Sequence, residues 1–481
     1  MSAVKKIASN FIIQVAGRIL ALILGLFIIG LMMRYLGPQN YGYYSIAISF
    51  LQVFGIIADF GLYLITLRYL GEVENIKEEE RKKRVSYVMN NIFTLRVLSA
   101  LVFYGGAFFL SFLFNYPLAV KTAVGILSGS LFFCTLIQTL SAFYQQTFKT
   151  KKIFIGEVLG KIVTLGLMIW FVKSDYGFFS IVSVFVLGNL INFLVLFLSA
   201  RKQISLKFDF DFSFWLEIIK KSWPVGLAIV LNVFYFKMDT LILSFYEPAE
   251  AVGFYGGCYR ILEVLITIPP LFLGLVLPRL VQFYRAKDSI NFKKFFQKSF
   301  DFLLMLALPL TAGGFVLGKR IMILLGGSKF APAGGILRVV IFACGILFVG
   351  ELFKQIAVGL GKQKQILPFY FLTAVISLIG YFIFIPKYSY WGAAGITIFS
   401  EALMFIFSLG LFYKTTNILP QMKFFLKSLG ATLIMTLFLF CLISWNLFLL
   451  ILTGIVIYFV ILYLFKGFDK ELIKEVVKIK W

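Results

Sequence analysis

The sequence has no histidine, few charged residues for its length and only four cysteines. With no His among 481 residues, the commonest general base and the commonest metal-binding side chain are both missing. The cysteines stand singly within apolar stretches, without the paired spacing of zinc, haem or iron–sulfur sites. Charged residues make up 14% of the chain, about half the fraction that soluble proteins have. These absences exclude a water-soluble enzyme and predict a protein that uses no metal or other cofactor.

Apolar side chains are abundant instead. Hydrophobic residues make up 60% of the chain, 58 residues are Phe, and the mean hydropathy is +0.94. A helix needs about 20 apolar residues to cross a bilayer, and charges, Pro and Gly divide the apolar runs. The runs predict an all-α polytopic membrane protein with fourteen transmembrane helices. These are expected near 11–33, 42–64, 88–114, 118–144, 153–173, 177–200, 224–246, 251–281, 299–318, 334–359, 366–386, 393–413, 428–444 and 447–465.

The basic residues lie mostly on one side of these spans. Of the 46 Lys and Arg residues, 32 fall on the side of the N-terminus, eight on the opposite side, and six inside helices. This bias predicts cytoplasmic N- and C-termini. It also accounts for the net charge of +24 through attraction to anionic membrane lipids, so no nucleic-acid partner is expected. The tail from Lys466 to Trp481 is expected to form an amphipathic helix on the inner membrane surface.

A short pattern occurs twice. Leu36–Tyr44 reads LGPQNYGYY before the second span, and Tyr246–Tyr255 reads YEPAEAVGFY before the eighth, with one inserted residue. Both copies lead from a Pro turn into a cluster of Gly and aromatic residues, six spans apart, which indicates two similar halves. The predicted domains are a six-helix lobe over 1–200, a cytoplasmic linker over 201–222, a second six-helix lobe over 223–414, and two further transmembrane helices with the tail over 415–481. A pseudo-twofold axis is expected to relate the lobes.

Seven short motifs follow one another along the chain. They are Arg34-Tyr35-Leu36-Gly37-Pro38, Tyr41-Gly42-Tyr43-Tyr44, Ala58-Asp59-Phe60-Gly61-Leu62, Trp223-Pro224, Met238-Asp239-Thr240-Leu241-Ile242-Leu243, Val252-Gly253-Phe254-Tyr255 and Leu277-Pro278. In this order they resemble the polysaccharide-biosynthesis flippase family of the multidrug/oligosaccharidyl-lipid/polysaccharide exporter superfamily. The resemblance runs from the first span through the eighth and agrees with the span count beyond it.

This resemblance implies an inner-membrane carrier and not an enzyme. Its implied cargo is a polyprenyl-pyrophosphate-linked oligosaccharide, turned from the cytoplasmic to the outer leaflet. Other polysaccharide-assembly membrane proteins are expected partners besides the membrane lipids. Two relatives of the same superfamily stay open as alternatives, a cation-coupled multidrug antiporter and a peptidoglycan-precursor flippase. A polysaccharide polymerase or ligase is a further alternative, against which the short outward connections without His argue.

Ionisable residues at membrane depth are the candidate site, because each costs at least about 2.5–3.5 kcal/mol to insert unless it faces protein or water. A pyrophosphate would bind cationic side chains, and Arg does so bidentately. Acids could couple transport to H+ or Na+. The predicted substrate-binding residues are Arg18, Arg96, Lys161, Lys237, Arg260, Lys354, Asp59 and Asp239, and the predicted ion-coupling residues are Glu157, Glu263, Glu351 and Glu401.

Spacing predicts which of these charges neutralise one another. Arg18 and Arg96 have no acid three or four residues away, and Asp59 could reach one of them only through packing. Lys237 and Asp239 diverge by about 200° around a helix, so at least one must face another helix, water or substrate. Three pairs share a helix face and could serve only to neutralise each other. They are Glu157 with Lys161, Arg260 with Glu263, and Glu351 with Lys354.

Proline marks two spans as irregular. Pro269-Pro270 in the eighth span and Pro309 in the ninth each remove backbone donors and are expected to kink a continuous helix. Irregular helices are tolerated in membranes where they line a cavity or a hinge.

Overall fold

The structure, a computed structural model, describes residues 3–72 and 77–467, with side chains from Gly17 onward apart from nine residues between 224 and 236. Fourteen α-helices occur in this part of the chain, though they do not correspond one to one with the fourteen predicted spans. The tail predicted to form an amphipathic helix falls, beyond Gly467, outside the described residues. The helices are α1 (Ala3–Asp59), α2 (Leu62–Glu72), α3 (Glu78–Leu110), α4 (Leu118–Gln146), α5 (Lys151–Lys173), α6 (Gly177–Arg201), α7 (Phe212–Tyr246), α8 (Ala249–Leu265), α9 (Ile268–Arg285), α10 (Ser289–Gly326), α11 (Ala333–Gly359), α12 (Gln363–Thr416), α13 (Lys423–Cys441) and α14 (Leu447–Leu464).

The protein is an all-helical, multi-pass membrane protein, as the composition predicts. Eleven helical segments of the described residues are long and apolar enough to cross a membrane. Two of the helices contain a non-helical residue close to a proline, at Gly37 directly before Pro38 in α1 and at Ser389 three residues after Pro386 in α12. Helix α12 includes two of the predicted spans, whereas α1 includes the first and most of the second, which continues into α2. The total of fourteen crossings stays a prediction.

The described chain forms two compact units, which divide between Gly253 and Phe254. The segment 201–222, predicted as a linker between lobes, lies within the first unit. The division of the chain into two six-helix lobes at the predicted boundaries stays a prediction.

Close helix packing in the first unit depends on small residues. Gly156 and Gly160 are one turn apart on α5, and α6 packs against them through Gly188 and Asn192. A Cβ atom on Gly160 would lie 2.7 Å from the Gly188 carbonyl oxygen, too close for any larger side chain. This is the small-residue spacing that brings membrane helices together when lipid supplies no hydrophobic drive for association.

Residues of the two copies of the repeated pattern contact one another within the first unit. A Cβ atom on Gly42 would overlap the carbonyl oxygen of Ala249, and a Cβ atom on Gly253 would overlap that of Pro38. The glycine of each copy therefore packs on the backbone at or beside the proline of the other. This reciprocal arrangement is what a local twofold relation between the copies produces, and it explains why both copies carry glycine at this position.

The second unit has an aromatic core, and two further helices pack against one of its long helices. Rings of α10, α11 and α12 stack together, with the Phe296 and Phe412 centroids 4.5 Å apart. Helices α13 and α14 pack on α10 through a separate apolar cluster. The Tyr458 and Ser428 hydroxyls, 2.8 Å apart, join α14 to α13 within it.

The proline pair of the eighth predicted span begins a helix instead of kinking one. Helix α8 ends at Leu265, and α9 starts at Ile268 with Pro269 and Pro270 in its first turn. The expectation of a continuous kinked helix is wrong here, because proline lacks an N–H that the first turn does not need and its fixed φ suits that turn. Pro309, by contrast, lies inside the continuous α10.

Replacing Gly42 or Gly253 by Ala should destabilise the protein, although Ala favours a helix over Gly by about 1 kcal/mol. Overpacking costs about 1–3 kcal/mol. Since the overlapped groups here are backbone carbonyls that cannot rotate away, the cost should reach the upper end of that range. We expect a lower melting temperature for each variant, measured on purified protein in detergent. Gly166→Ala is the control, because a Cβ atom there meets nothing within 4 Å. Equal melting temperatures for all three variants would contradict the packing argument.

Candidate functional site

The first helix ends abruptly at a motif that the sequence resemblance includes. After Asp59, Phe60 and Gly61 adopt left-handed φ values of 36° and 78°, and the chain resumes as α2 at Leu62. The Asp59 Oδ2 accepts a hydrogen bond of 3.3 Å from the Gly61 N–H. Gly61 also approaches the backbone of Gly226 on α7. The break places the Asp59 carboxylate at the end of a helix and fixes its direction.

This carboxylate compensates a buried arginine. The Arg96 side chain on α3 is fully buried, and its Nη2 forms an ion pair with Asp59 Oδ1. Its Nε and Nη1 have no hydrogen-bond partner among the described residues. Of the two arginines that lack an acid on their own helix, Arg96 is the one that Asp59 reaches. A buried ion pair of this kind has high desolvation cost on both sides, so neither charge can be removed alone without penalty.

A polar cavity of about 570 Å³ lies beside this pair in the first unit. Its volume falls within the range of small-molecule sites, about 300–1,000 Å³. Among the described residues, Asp59 and Lys237 contribute the charged side chains of its wall, and Arg96 compensates the charge of Asp59. Polar uncharged side chains also line the cavity, namely Gln52, Tyr63, Tyr104, Thr135, Gln138 and Ser141.

Two helices contribute polar stripes to this wall. Gln52 and Asp59 are seven residues apart on α1, and Thr135, Gln138 and Ser141 follow one another at intervals of three on α4. Such spacing places side chains on one helix face. The site predicted from the sequence contains ionisable residues alone and lacks these uncharged ones, although polar residues that recur at helical spacing within an apolar span indicate them.

Amide and hydroxyl groups both donate and accept hydrogen bonds, which suits the hydroxyls of a sugar. In the cavity the Tyr104 and Thr135 hydroxyls are 3.2 Å apart and share a hydrogen bond. A lysine ammonium beside these groups would bind an anion by charge-assisted hydrogen bonds. The cavity can therefore hold a polar molecule that carries both hydroxyl groups and negative charge.

The remaining predicted residues of the first unit lie off this wall. Arg18 on α1 forms an ion pair with Glu157 on α5, with Nη1 and Oε1 3.0 Å apart. Spacing had matched Glu157 with Lys161, but the structure gives it a partner on a neighbouring helix. The Lys161 Nζ lies against Gly25 of α1. Asp239 is fully buried, and its Oδ1 accepts a hydrogen bond of 2.6 Å from the Thr240 N–H.

The second unit contains the other two pairs that spacing predicts. Arg260 Nη1 is 2.6 Å from Glu263 Oε2, and Lys354 Nζ is 3.0 Å from Glu351 Oε2. Each pair forms within a single helix, the first in α8 and the second in α11, as the spacing of three residues predicts. Glu401 on α12 is almost completely buried. The roles predicted for these residues stay predictions.

A family model and a named bacterial protein both match this sequence. Residues 31–334 match the family model described as "Polysaccharide biosynthesis protein". A protein of Shigella dysenteriae named "Putative O-antigen transporter" is 22% identical over 299 residues, which span 61% of this chain and 72% of that protein.

The fold is similar to those of solved membrane transporters. The lipid II flippase MurJ, in an inward closed conformation, superposes with a TM-score of 0.75 at 19% identity, over 94% of this chain and 98% of that one. An inward-facing multidrug resistance transporter of the MATE family and MOP superfamily superposes with a TM-score of 0.68 at 12% identity, over 85% and 98% of the two chains. At these identities the similarity concerns the fold alone.

Replacing Asp59 by Asn should destabilise the protein by about 3–5 kcal/mol, because the buried Arg96 charge loses its partner. Removing both charges, as Asp59→Asn with Arg96→Leu, should cost less than Asp59→Asn alone. The free energy of unfolding is measured in mixed detergent micelles by titrating a denaturing detergent. Glu72→Gln, which breaks the exposed ion pair with Arg68, is the control and should cost at most about 1 kcal/mol. If Asp59→Asn lowered the free energy of unfolding no more than this control, the ion pair would not stabilise the fold.

Proposed function

Because the chain belongs to the polysaccharide biosynthesis protein family, we propose that it flips a polyprenyl-pyrophosphate-linked oligosaccharide across the cell's inner membrane. The cargo moves from the cytoplasmic to the outer leaflet for cell-surface polysaccharide synthesis. No covalent bond of the cargo changes, so the protein is a transporter and not an enzyme. The membrane orientation belongs to the proposal, and the bias of 32 basic residues against eight supports cytoplasmic termini.

The observation that carries the proposal is the polar cavity with Lys237 on its wall. A charged and hydroxyl-rich hollow inside a membrane-spanning unit is costly to build, and polar groups at membrane depth mark substrate paths by default. The chemistry of the wall matches the two parts of the proposed cargo. The Lys237 ammonium binds the pyrophosphate, and the amide and hydroxyl side chains bind sugar hydroxyls.

The transport step is alternating access. The sugar-pyrophosphate head group enters the water-filled cavity, while the polyprenyl tail stays in lipid. A change between two conformations of the helices then opens the site to the other side. Arg96 and Asp59 hold the wall in shape as a compensated pair. The other predicted cations, Arg18, Lys161, Arg260 and Lys354, and the acid Asp239 are proposed to guide the head group along its path.

Replacing Lys237 by Ala should reduce outer-leaflet exposure of the lipid-linked glycan by more than about tenfold, because truncating one partner of a desolvated charge pair is costly. Exposure is measured in intact cells with an impermeant glycan-binding probe and normalised to the amount of protein in the membrane. Lys237→Arg keeps the charge and should retain most of the activity.

Lys220→Ala is the matched control, since Lys220 is on the same helix and exposed. It should leave glycan exposure unchanged. If Lys237→Ala showed the same glycan exposure as the wild-type protein, the phosphate-binding role proposed for Lys237 would be wrong.

The cargo itself is identified by mass spectrometry of polyprenyl lipids from cells depleted of the protein. Accumulation of a polysaccharide precursor supports the proposal, accumulation of the peptidoglycan precursor favours the lipid II flippase alternative, and new drug sensitivity with unchanged lipids favours the antiporter.

Coupling to an H+ or Na+ gradient is the second part of the proposal, and it is motivated by Glu157, Glu263, Glu351 and Glu401. Glu401 is the most deeply buried of the four, and a carboxylate there can exchange a proton or bind a cation. We expect transport into proteoliposomes to respond to one of the two gradients, and Glu401→Gln to remove that response. The control is Glu250→Gln, an exposed acid. If transport by the wild-type protein responded to neither gradient, this part of the proposal would be wrong.

A further inference from the structure

A second cavity, of about 830 Å³, lies where α3 begins and α6 ends. We call it the basic cavity, because five cationic side chains line it. They belong to Lys82, Lys83, Arg201, Lys202 and Lys207. One carboxylate, that of Asp209, also lines it, and it already accepts a hydrogen bond of 3.1 Å from the Asn91 side-chain amide.

The segment after α6 forms one wall of this cavity because side chains of α3 hold its backbone. Asn90 Oδ1 accepts from the Lys207 N–H at 3.1 Å, Thr94 Oγ1 from the Asp209 N–H at 3.0 Å, and Asn91 Oδ1 from the Asp211 N–H at 2.9 Å. Alternate residues of an extended segment are thus bonded along one helix. The wall is therefore fixed in place, unlike a loop that solvent alone surrounds.

Asp211 secures the far end of this segment. Its Oδ2 accepts a hydrogen bond of 2.5 Å from the Tyr87 hydroxyl, and its Oδ1 accepts one of 3.0 Å from the Phe214 N–H at the start of α7. The Tyr87 and Phe214 bonds lower the pKa of the Asp211 carboxyl, because they favour its charged form. The carboxylate is consequently ionised and bonded at neutral pH.

The five cations have no ion-pair partner within the described residues. Like charges gathered around one cavity repel each other, and an anion bound among them removes that repulsion. Phosphate groups are the anions that Lys and Arg clusters bind through charge-assisted hydrogen bonds. The cavity therefore fits a phosphate-bearing ligand.

Exposed aromatic residues beside the cavity indicate that this ligand is a lipid. Phe208, Phe210 and Phe212 are 64%, 57% and 72% exposed, and they alternate with the bonded Asp209 and Asp211 along the same segment. Phenylalanine side chains at a membrane surface insert at the boundary between the head groups and the acyl chains. A free anion would make no use of three exposed rings, whereas a lipid has acyl chains to pack against them.

We propose that the basic cavity binds the phosphate head group of an anionic phospholipid, whose acyl chains pack beside the exposed phenylalanines. With the orientation proposed above, this lipid belongs to the cytoplasmic leaflet, where basic pockets meet anionic lipids. The site is distinct from the polar cavity that contains Lys237. Its occupant is a resident lipid and not the transported cargo.

The test measures binding of phosphatidylglycerol to the purified full chain in neutral detergent by native mass spectrometry. Lys82→Gln combined with Lys202→Gln and Lys207→Gln should weaken binding roughly 10- to 100-fold, since each basic residue contributes substantially near a charged lipid. Arg285→Gln with Lys293→Gln and Lys364→Gln removes three exposed bases elsewhere and should change binding by less than about threefold. Equal loss in both triple variants would overturn the proposal, because net charge alone would then explain it.

Two further arms identify the source of the phosphate. Phe208→Ser with Phe210→Ser keeps every cation, and it should weaken phosphatidylglycerol binding while the melting temperature stays unchanged. Displacement of the lipid from the wild-type protein by inorganic phosphate or pyrophosphate at equal concentration would overturn the proposal in favour of a free anion. Displacement by undecaprenyl pyrophosphate, with loss of glycan exposure in the lysine triple variant, would overturn it in favour of a cargo-loading site. The binding assay involves no transport, so its failure and that of the proposed function are distinguishable.

Discussion

Arg96 is fully buried in a unit that lipid surrounds, and the carboxylate of Asp59 compensates its charge from the point where α1 ends. Much of the polar cavity follows from this pairing. The carboxylate reaches the arginine because Phe60 and Gly61 turn the chain out of the helix, and Gly61 can do so because it has no side chain to meet Gly226. One wall of the cavity is thus fixed because a buried arginine in a membrane-spanning unit needs a compensating charge, and lipid cannot supply one.

The uncharged polar residues of the cavity need no such compensation. Gln138 and Ser141 line a cavity large enough to hold water, which can bond to their polar groups in place of protein partners. Lipid-facing positions of the same unit are apolar instead, as at Val102 and Phe109. The helices that line the cavity therefore turn polar side chains towards it and apolar side chains towards lipid, whereas helices of a soluble bundle turn their apolar side chains inwards.

Much of this arrangement could be predicted from the sequence. Apolar run lengths identified α4, α5 and α6 to within a few residues, because the length that a bilayer demands is nearly constant. Spacing along one helix identified the Arg260–Glu263 and Glu351–Lys354 pairs. It could not assign Glu157 to Arg18 or Asp59 to Arg96, since those contacts join different helices and depend on how the helices are rotated and packed. The sequence does not reveal that the proline pair at 269–270 begins a helix, because the same residues also occur where a continuous helix is kinked.

The bonds that hold the segment after α6 along α3 also bear on how the protein is made. Asn91 and its partner Asp211 are 120 residues apart in sequence, and synthesis proceeds at about 5–20 residues per second. The amide of Asn91 thus emerges from the ribosome roughly 6–24 seconds before the backbone it binds. The bonds of residues 207, 209 and 211 to α3 can therefore form only after α6 has been synthesised, because these residues follow α6 in the chain.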